Sequence, residues 1–324
     1  MRQFQILFKN MMRRMVSRKG ILLISLCIPA LVVTLVVYFT STFEMKTNIA
    51  IVGGMETLDL NPDFFHVDRL DEAPPTSQLV RNRYSAIIHD QGDGDYSIET
   101  MKGESFKNIV QTVLTNPEYD PELHKGRSVG ITILGYLTLF LLMQGQFYMN
   151  YFSEDKRIGI LQRITATPIR IETYLWTQIC FGFVMNYVPT LLVLIILKNV
   201  FQMKIGFSLI QYSWLLALIV LVATTFALFT TVSFELADNA IIFSSSVILI
   251  TSLLSGCLYP MTHQDIIETF TAIFPQKQYL MMAEAIEEQT LTRTFILRIM
   301  YIGLFVFGLF IAATVRCQRK IKEG

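Results

Sequence analysis

A chain of 324 residues with mean hydropathy +0.45 and only 16% charged residues is too apolar for an ordinary soluble domain. Its net charge of +1 hides a segregation, because residues 41–128 hold 15 acids against 8 bases while the first twenty residues hold six bases and no acid. No part of that balance points to a nucleic-acid partner. Cys27, Cys180, Cys257 and Cys317 all lie in or beside apolar runs, which excludes a disulfide framework.

Residues 1–19 are expected to form an interfacial amphipathic helix. Phe4, Leu7, Phe8, Met11 and Met15 recur at three- and four-residue steps while Lys9, Arg13 and Arg14 face elsewhere, as in a helix lying on the inner leaflet. A simple topogenic charge cluster is the alternative. Residues 20–43 form the first uncharged run, longer than the ~7–15 residues of a signal-peptide core and without a small-x-small site. An uncleaved first transmembrane helix is the better reading.

Residues 44–127 are expected to form a small extracellular α/β domain. Asn48–Val52, Tyr84–His89 and Asp95–Thr100 read as strands, and Gln78–Arg83 and Phe106–Leu114 as helices. The Asp90–Gly94 connection has hairpin chemistry, since Asp-Gly accepts positive φ.

Residues 128–315 contain five more apolar runs, at 128–153, 173–197, 205–234, 239–262 and 299–315, for six spans, all but the last longer than the roughly 20 residues needed to cross the hydrocarbon core. Lys156, Arg157, Arg163 and Arg170 follow the second span, and Arg316, Arg319, Lys320 and Lys322 fill the 316–324 tail. The positive-inside rule then places both termini and the 154–172 loop in the cytoplasm. The connection between the fourth and fifth spans, with Glu235 and Asp238, has no base although it belongs on that side.

Two stretches interrupt this pattern. From Glu154 to Ile164, acids precede bases as a helix dipole favours, and Ile158, Leu161 and Ile164 form an apolar stripe. Thr167 and Pro168 suit the start of the next helix. A short amphipathic helix over 154–167 is well shaped to dock into a groove on a cytosolic partner; an ordinary juxtamembrane helix is the plainer reading. Farther on, Ser255-Gly256-Cys257-Leu258-Tyr259-Pro260 ends an apolar run and Phe274-Pro275 follows, so 260–290 is expected to be re-entrant. Backbone that breaks at membrane depth needs a cover of protein or water, which makes this a candidate gate.

No Gly-x-x-x-x-Gly-Lys-Ser/Thr loop occurs, and no paired His/Cys spacing suggests a metal site. The spans lack charge, which argues against a carboxylate relay or an intramembrane protease. Their Ser and Thr residues read mostly as interhelical packing groups.

In these features the chain resembles the type-2 ABC exporter permeases, in the bacterial branch of drug and antimicrobial-peptide exporters. Glu154 through Pro168 matches that family's coupling-helix pattern of an acid, a Gly, an Arg and Thr-Pro. Gly256, Tyr259, Pro260 and Pro275 match its Gly-x-x-x-Pro and later Pro, although Gln264-Asp265 stands where a second Pro is common. The resemblance implies an all-α polytopic membrane protein with an N-terminal interfacial helix, six spans, an α/β domain between the first two and re-entrant helices before the sixth.

It also implies a non-enzymatic permease subunit that exports a hydrophobic or amphiphilic substrate, such as an antimicrobial peptide, antibiotic, toxin or lipid-like molecule. A separate cytosolic ABC ATPase would hold ATP and Mg, this chain would hold no cofactor, and a second permease would complete a homodimer or heterodimer in the plasma membrane. Glu154, Arg157 and Arg163 are the expected polar contacts to the ATPase, Ile158 and Leu161 its apolar docking face, and Gln146 and Asn186 candidates for the substrate path. The alternatives are a membrane-anchored sensor or scaffold with a ligand-binding outer domain, and a sodium efflux permease.

Overall fold

Uncharged runs become helices because, away from water, each backbone N–H and C=O must find its partner within the segment. The computed structural model describes residues 2–17, 19–43, 47–52, 65–70, 74, 84, 86–90, 96–100, 107, 110–112, 114, 128–165, 167, 169–203, 205–258, 270–290 and 293–323. The chain divides into two units, Met1–Tyr38 with Arg127–Gly324, and Phe39–Gly126.

The larger unit is helical. It contains α1 (Arg2–Ser17), most of α2 (Lys19–Phe43), α3 (Val129–Tyr148), α4 (Asn150–Arg157), α5 (Ile160–Thr165), α6 (Ile171–Asn199), α7 (Leu209–Ser233), α8 (Ala237–Leu254), α9 (Pro275–Glu287) and α10 (Arg293–Glu323). Among the described residues five helices are long and apolar enough to cross a membrane: α3 with its continuation α4, α6, α7, α8 and α10. The sixth expected span, α2, is 25 residues long and contributes the shorter apolar stretch Cys27–Tyr38.

The central helix is α7, against which α3, α6, α8, α9 and α10 all pack. A Cβ on Gly145 would meet the Ala223 carbonyl oxygen at 2.9 Å, so this glycine lets the backbones of α3 and α7 approach closely. The start of α7 is fixed by a capping box: Ser208 Oγ accepts from the Gln211 N–H, and the Gln211 side chain accepts from the Ser208 N–H.

One end of the bundle gathers segments distant in sequence. Arg14 of α1 donates to Asp155 of α4, Gln318 of α10 to Glu172 of α6, and Lys320 of α10 to the carbonyl that ends α7. The N-terminal helix and the C-terminal turns of α10 therefore share this end, hereafter the foot. At the opposite end, Ser128 Oγ donates to Glu287 of α9, and Gln276 of α9 to Thr251 of α8.

The amphipathic helix corrects its expectation. Met11 and Met15 are buried against a cluster containing Tyr148, Tyr151 and Phe181, with Leu7 and Phe8 packed on it. The apolar stripe of α1 therefore faces the bundle, not lipid. Arg14, expected to face away with Arg13, turns inward to pair with an acid.

The smaller unit holds a four-stranded sheet of order β2-β1-β3-β4. Its strands are β1 (Thr47–Val52), β2 (Phe65–Leu70), β3 (Ala86–Asp90) and β4 (Tyr96–Glu99). β1 runs parallel to both β2 and β3, and β3 pairs antiparallel with β4, Asp90 opposite Tyr96. Ala50, Ile87 and Tyr84 form its buried centre, and the Tyr84 hydroxyl donates to Asp68 at 3.1 Å. The expected helix at Gln78–Arg83 and most of the expected hairpin turn lie outside the described residues.

Candidate functional sites at two broken helix ends

The 154–165 segment is two helices, not the single coupling helix expected. Gly159 has φ +72°, and the Ile158 and Gly159 N–H groups close α4 onto Glu154 and Lys156. Positive φ is nearly free for glycine and costly for other residues, which is why the chain stops here and restarts at Ile160. Thr167 does not cap the next helix: its hydroxyl donates back to the Ile164 carbonyl at 2.7 Å, and Arg170 precedes the first turn of α6. Pro168 lies outside the described residues.

The break at Gly159 sorts the expected docking residues. Arg157, Ile158, Gln162 and Arg163 are exposed, Ile158 at 51%. Leu161 and Ile164 are buried with Tyr174 and Leu175, so Leu161 is an internal packing residue, contrary to its expected place on the docking face. Farther along, at the start of α6, lies an open groove lined by Arg170, Glu172 and Gln318.

Beneath that surface the foot is held by a charge the sequence reading overlooked. Asp155 is 2% exposed, and both its oxygens are engaged: Arg14 Nη1 donates to Oδ1 at 2.6 Å and the Tyr174 hydroxyl to Oδ2 at 2.7 Å. Gln178 then donates to the Tyr174 hydroxyl at 2.9 Å. Arg14 Nη2 also donates to Glu154 at 3.2 Å, and its guanidinium lies over the Tyr151 ring at 5.5 Å. Glu154 is thus engaged inside the subunit and half turned to solvent.

Burial works against the charge on Arg14, but the bond and attraction to Asp155, then Glu154, outweigh it and raise its pKa further. Arg14 therefore keeps its charge throughout the physiological range. Losing one member of a buried pair costs about 3–5 kcal/mol; the 28% exposure of the Arg14 side chain puts this pair at the low end.

The second broken end follows α8. Gly256 has φ +74°, its N–H donates to Leu253 O at 3.1 Å, and the Cys257 N–H to Ser252 O at 2.9 Å, the two bonds of a Schellman cap. Tyr259 and Pro260 lie outside the described residues. Pro275 opens the 13-residue helix α9 at its first position, where a missing N–H costs nothing. Gln276 Nε2 ties α9 to Thr251 Oγ1 at 2.8 Å. Here the interior is not satisfied, for among the described residues Ser252 Oγ, Gln276 Oε1 and the Tyr279 hydroxyl are buried without a hydrogen-bond partner.

The two path candidates are interior residues. Gln146 is 3% exposed, donating to Thr231 at 3.1 Å and accepting from Thr230 at 2.9 Å. Asn186 is fully buried and donates to the Leu141 carbonyl at 3.0 Å. Their amides hold helices together within one subunit and face no open surface, which removes the reason for placing them on the path.

The base-free connection after α7 is also explained. Lys156 donates to the Phe234 carbonyl and Lys320 to the Ser233 carbonyl, so bases from α4 and α10 serve the end that lacks its own.

No curated protein matches the chain. A family model described as ABC-2 type transporter matches residues 93–287, well over half of it, running from the hairpin of the small unit through the bundle to the end of α9. The apolar helices make this a membrane protein, the membrane component of an ABC transporter system that works with an ATPase. A glycine-broken foot, a second break beyond α8 and a family match across both leave one conclusion: the chain belongs to the ABC-2 type transporter family.

Proposed function

We propose that this permease exports a hydrophobic or amphiphilic substrate and takes its driving force from a cytosolic ATPase seated on the foot. The observation that carries the reading is the partition across α4 and α5: Arg157, Ile158, Gln162 and Arg163 point outward from a segment whose inner side is fixed by Asp155. An exposed aliphatic side chain between two guanidinium groups suits a docking surface, and its rigid mounting lets a push travel into α6 through Tyr174. On this reading the foot and both termini are cytoplasmic, and the small sheet unit is extracellular.

A second permease completes the transporter. The outward stripe of α8 exposes Ile242, Phe243, Leu249, Ile250 and Leu253 but interrupts them with Asn239 and Ser246. Polar groups on such a stripe are better accommodated against another helix than against lipid tails. The uncharged helices suit an apolar cargo better than a small ion.

The test replaces Ile158→Asp or Arg163→Ala. Both side chains are exposed, so stability is expected to stay within about 0.5 kcal/mol. Stimulated ATP hydrolysis and co-purification of the ATPase are expected to fall at least about fivefold, as for residues contributing over 1 kcal/mol to an interface. Normal coupling in both variants would remove the docking assignment.

A further inference from the structure

The chain has two tryptophans, and the fold puts them at opposite ends of the bundle. α6 begins at the foot, where Glu172 accepts from Gln318, and α7 ends there, where Ser233 accepts from Lys320. Trp176 stands in the second turn of α6 and Trp214 in the second turn of α7, so one is near the foot and the other near the far end. Both are partly open, at 47% and 38% exposed. Both also lie against the same helix, α10: Trp176 meets Phe310 edge-on at 5.4 Å, and Trp214 stacks on Phe295 at 5.8 Å.

Charge respects the same two levels. α6 has no charged residue between Glu172 and Lys198, and α7 has none along its length. α10 has only Arg298 between Arg293 and Arg316, and that guanidinium donates to the Met281 carbonyl at 2.9 Å. Phe295 and Phe310 stand about 22 Å apart at ~1.5 Å per residue, a few ångströms short of a ~30 Å hydrocarbon core. Each indole is thus carried at the edge of an uncharged slab of membrane thickness.

We infer that Trp176 and Trp214 are interfacial anchors, one in each leaflet, and that lipid rather than a second copy of the chain covers both rings. An indole has an apolar body and one N–H donor, which suits the layer where acyl chains meet ester carbonyls. The helix both rings lean on argues for lipid. α10 is the least buried of the five long apolar helices, and its open face between the two rings, at Met300, Leu304 and Phe307, is wholly apolar. The α8 stripe, by contrast, is broken by Asn239 and Ser246. The anchors also set the depth of the foot. Tyr174 precedes Trp176 by about 3 Å along α6, so its bond to Asp155 lies at headgroup level.

The experiment reads tryptophan emission from the full-length chain in phosphatidylcholine vesicles and involves no ATPase, so its outcome is independent of the docking assignment. Trp176→Phe leaves Trp214 as the sole reporter and Trp214→Phe leaves Trp176, each keeping an aromatic ring against α10. The quenchers are phosphatidylcholines brominated either near the ester end of the acyl chain or near its middle. Each single-tryptophan protein is expected to lose more emission to the ester-proximal bromines than to the mid-chain ones. Wild type is expected to give the average of the two, which shows that neither variant has rearranged. Two rings held this far apart along a spanning helix can both be shallow only in opposite leaflets. Stronger quenching of either ring by the mid-chain bromines, in a variant or in wild type, would overturn its place at the interface. A ring that neither lipid quenches is covered by protein, and that result would overturn the lipid assignment.

Discussion

The foot and the far joint are built alike and finished differently. Each ends a helix at a glycine with positive φ, Gly159 or Gly256; α5 follows the first at once, and α9 lies farther along the chain from the second. At the foot the buried charge is fully engaged, with Arg14 and Tyr174 on the two oxygens of Asp155, while the Gln178 side-chain oxygen and the Ser233 hydroxyl are buried without a partner among the described residues. At the far joint three buried polar atoms, on Ser252, Gln276 and Tyr279, have no partner among the described residues. A buried ion pair whose carboxylate oxygens are both engaged rigidifies its surroundings, whereas neutral buried polar groups without partners raise the energy of the arrangement that holds them. The contrast teaches that motion entering at the foot is carried by a stiff piece, and that the far joint is the piece with something to gain by rearranging.

The largest effect is expected at Asp155. Asp155→Ala strands Arg14 and the Tyr174 hydroxyl at a cost of about 3 kcal/mol, read as a drop in the unfolding midpoint in detergent. A loss below about 1 kcal/mol would mean that the foot is no stiffer than the joint. Next comes Gly159→Ala. A Cβ there meets only the Gln162 side-chain oxygen, at 3.6 Å, so the cost is the backbone conformation alone, about 1 kcal/mol. The same measurement checks it, and ATP hydrolysis should lose its dependence on substrate if the α4–α5 angle matters.

The smallest stability effect, and the sharpest test of the contrast, is Tyr279→Phe. Removing a buried hydroxyl that has no partner should leave stability unchanged or raise it by up to about 1 kcal/mol. If that hydroxyl finds a partner only after the joint rearranges, transport falls while the resting protein is no weaker. A destabilised Tyr279→Phe protein would show that the joint is as well satisfied as the foot.

Much of the fold was legible because membrane physics is crude: uncharged runs of sufficient length gave α3, α6, α7, α8 and α10 their places. Three of the four strands were legible as apolar β-rich runs. β2 was missed because Phe65–Leu70 carries His66, Asp68 and Arg69 among its six residues. The foot was recognisable from its order of acids, bases and aliphatic residues, but not its partition. Ile158, Leu161 and Ile164 look like one stripe on a continuous helix, and the turn at Gly159 sends the first outward and the other two inward.

Asp155 was hidden for a different reason. Its partner lies 141 residues away, and local periodicity says nothing about such pairs. The available signal was the wheel position of Arg14, adjacent to the Met11–Met15 stripe, where Arg13 is opposite it. The bases serving the end of α7 were hidden likewise, since a count confined to residues 235–238 does not include Lys156 or Lys320.

The order in which the ribosome makes this polypeptide suits the Arg14–Asp155 pair. The cation emerges first, so an acceptor-hungry guanidinium is already waiting when the carboxylate that must leave water is synthesised. Shortening the protein past its fourteenth residue, or crowding that helix with a fusion tag, would bring the carboxylate to an empty seat. Expression tags are therefore better placed away from this helix.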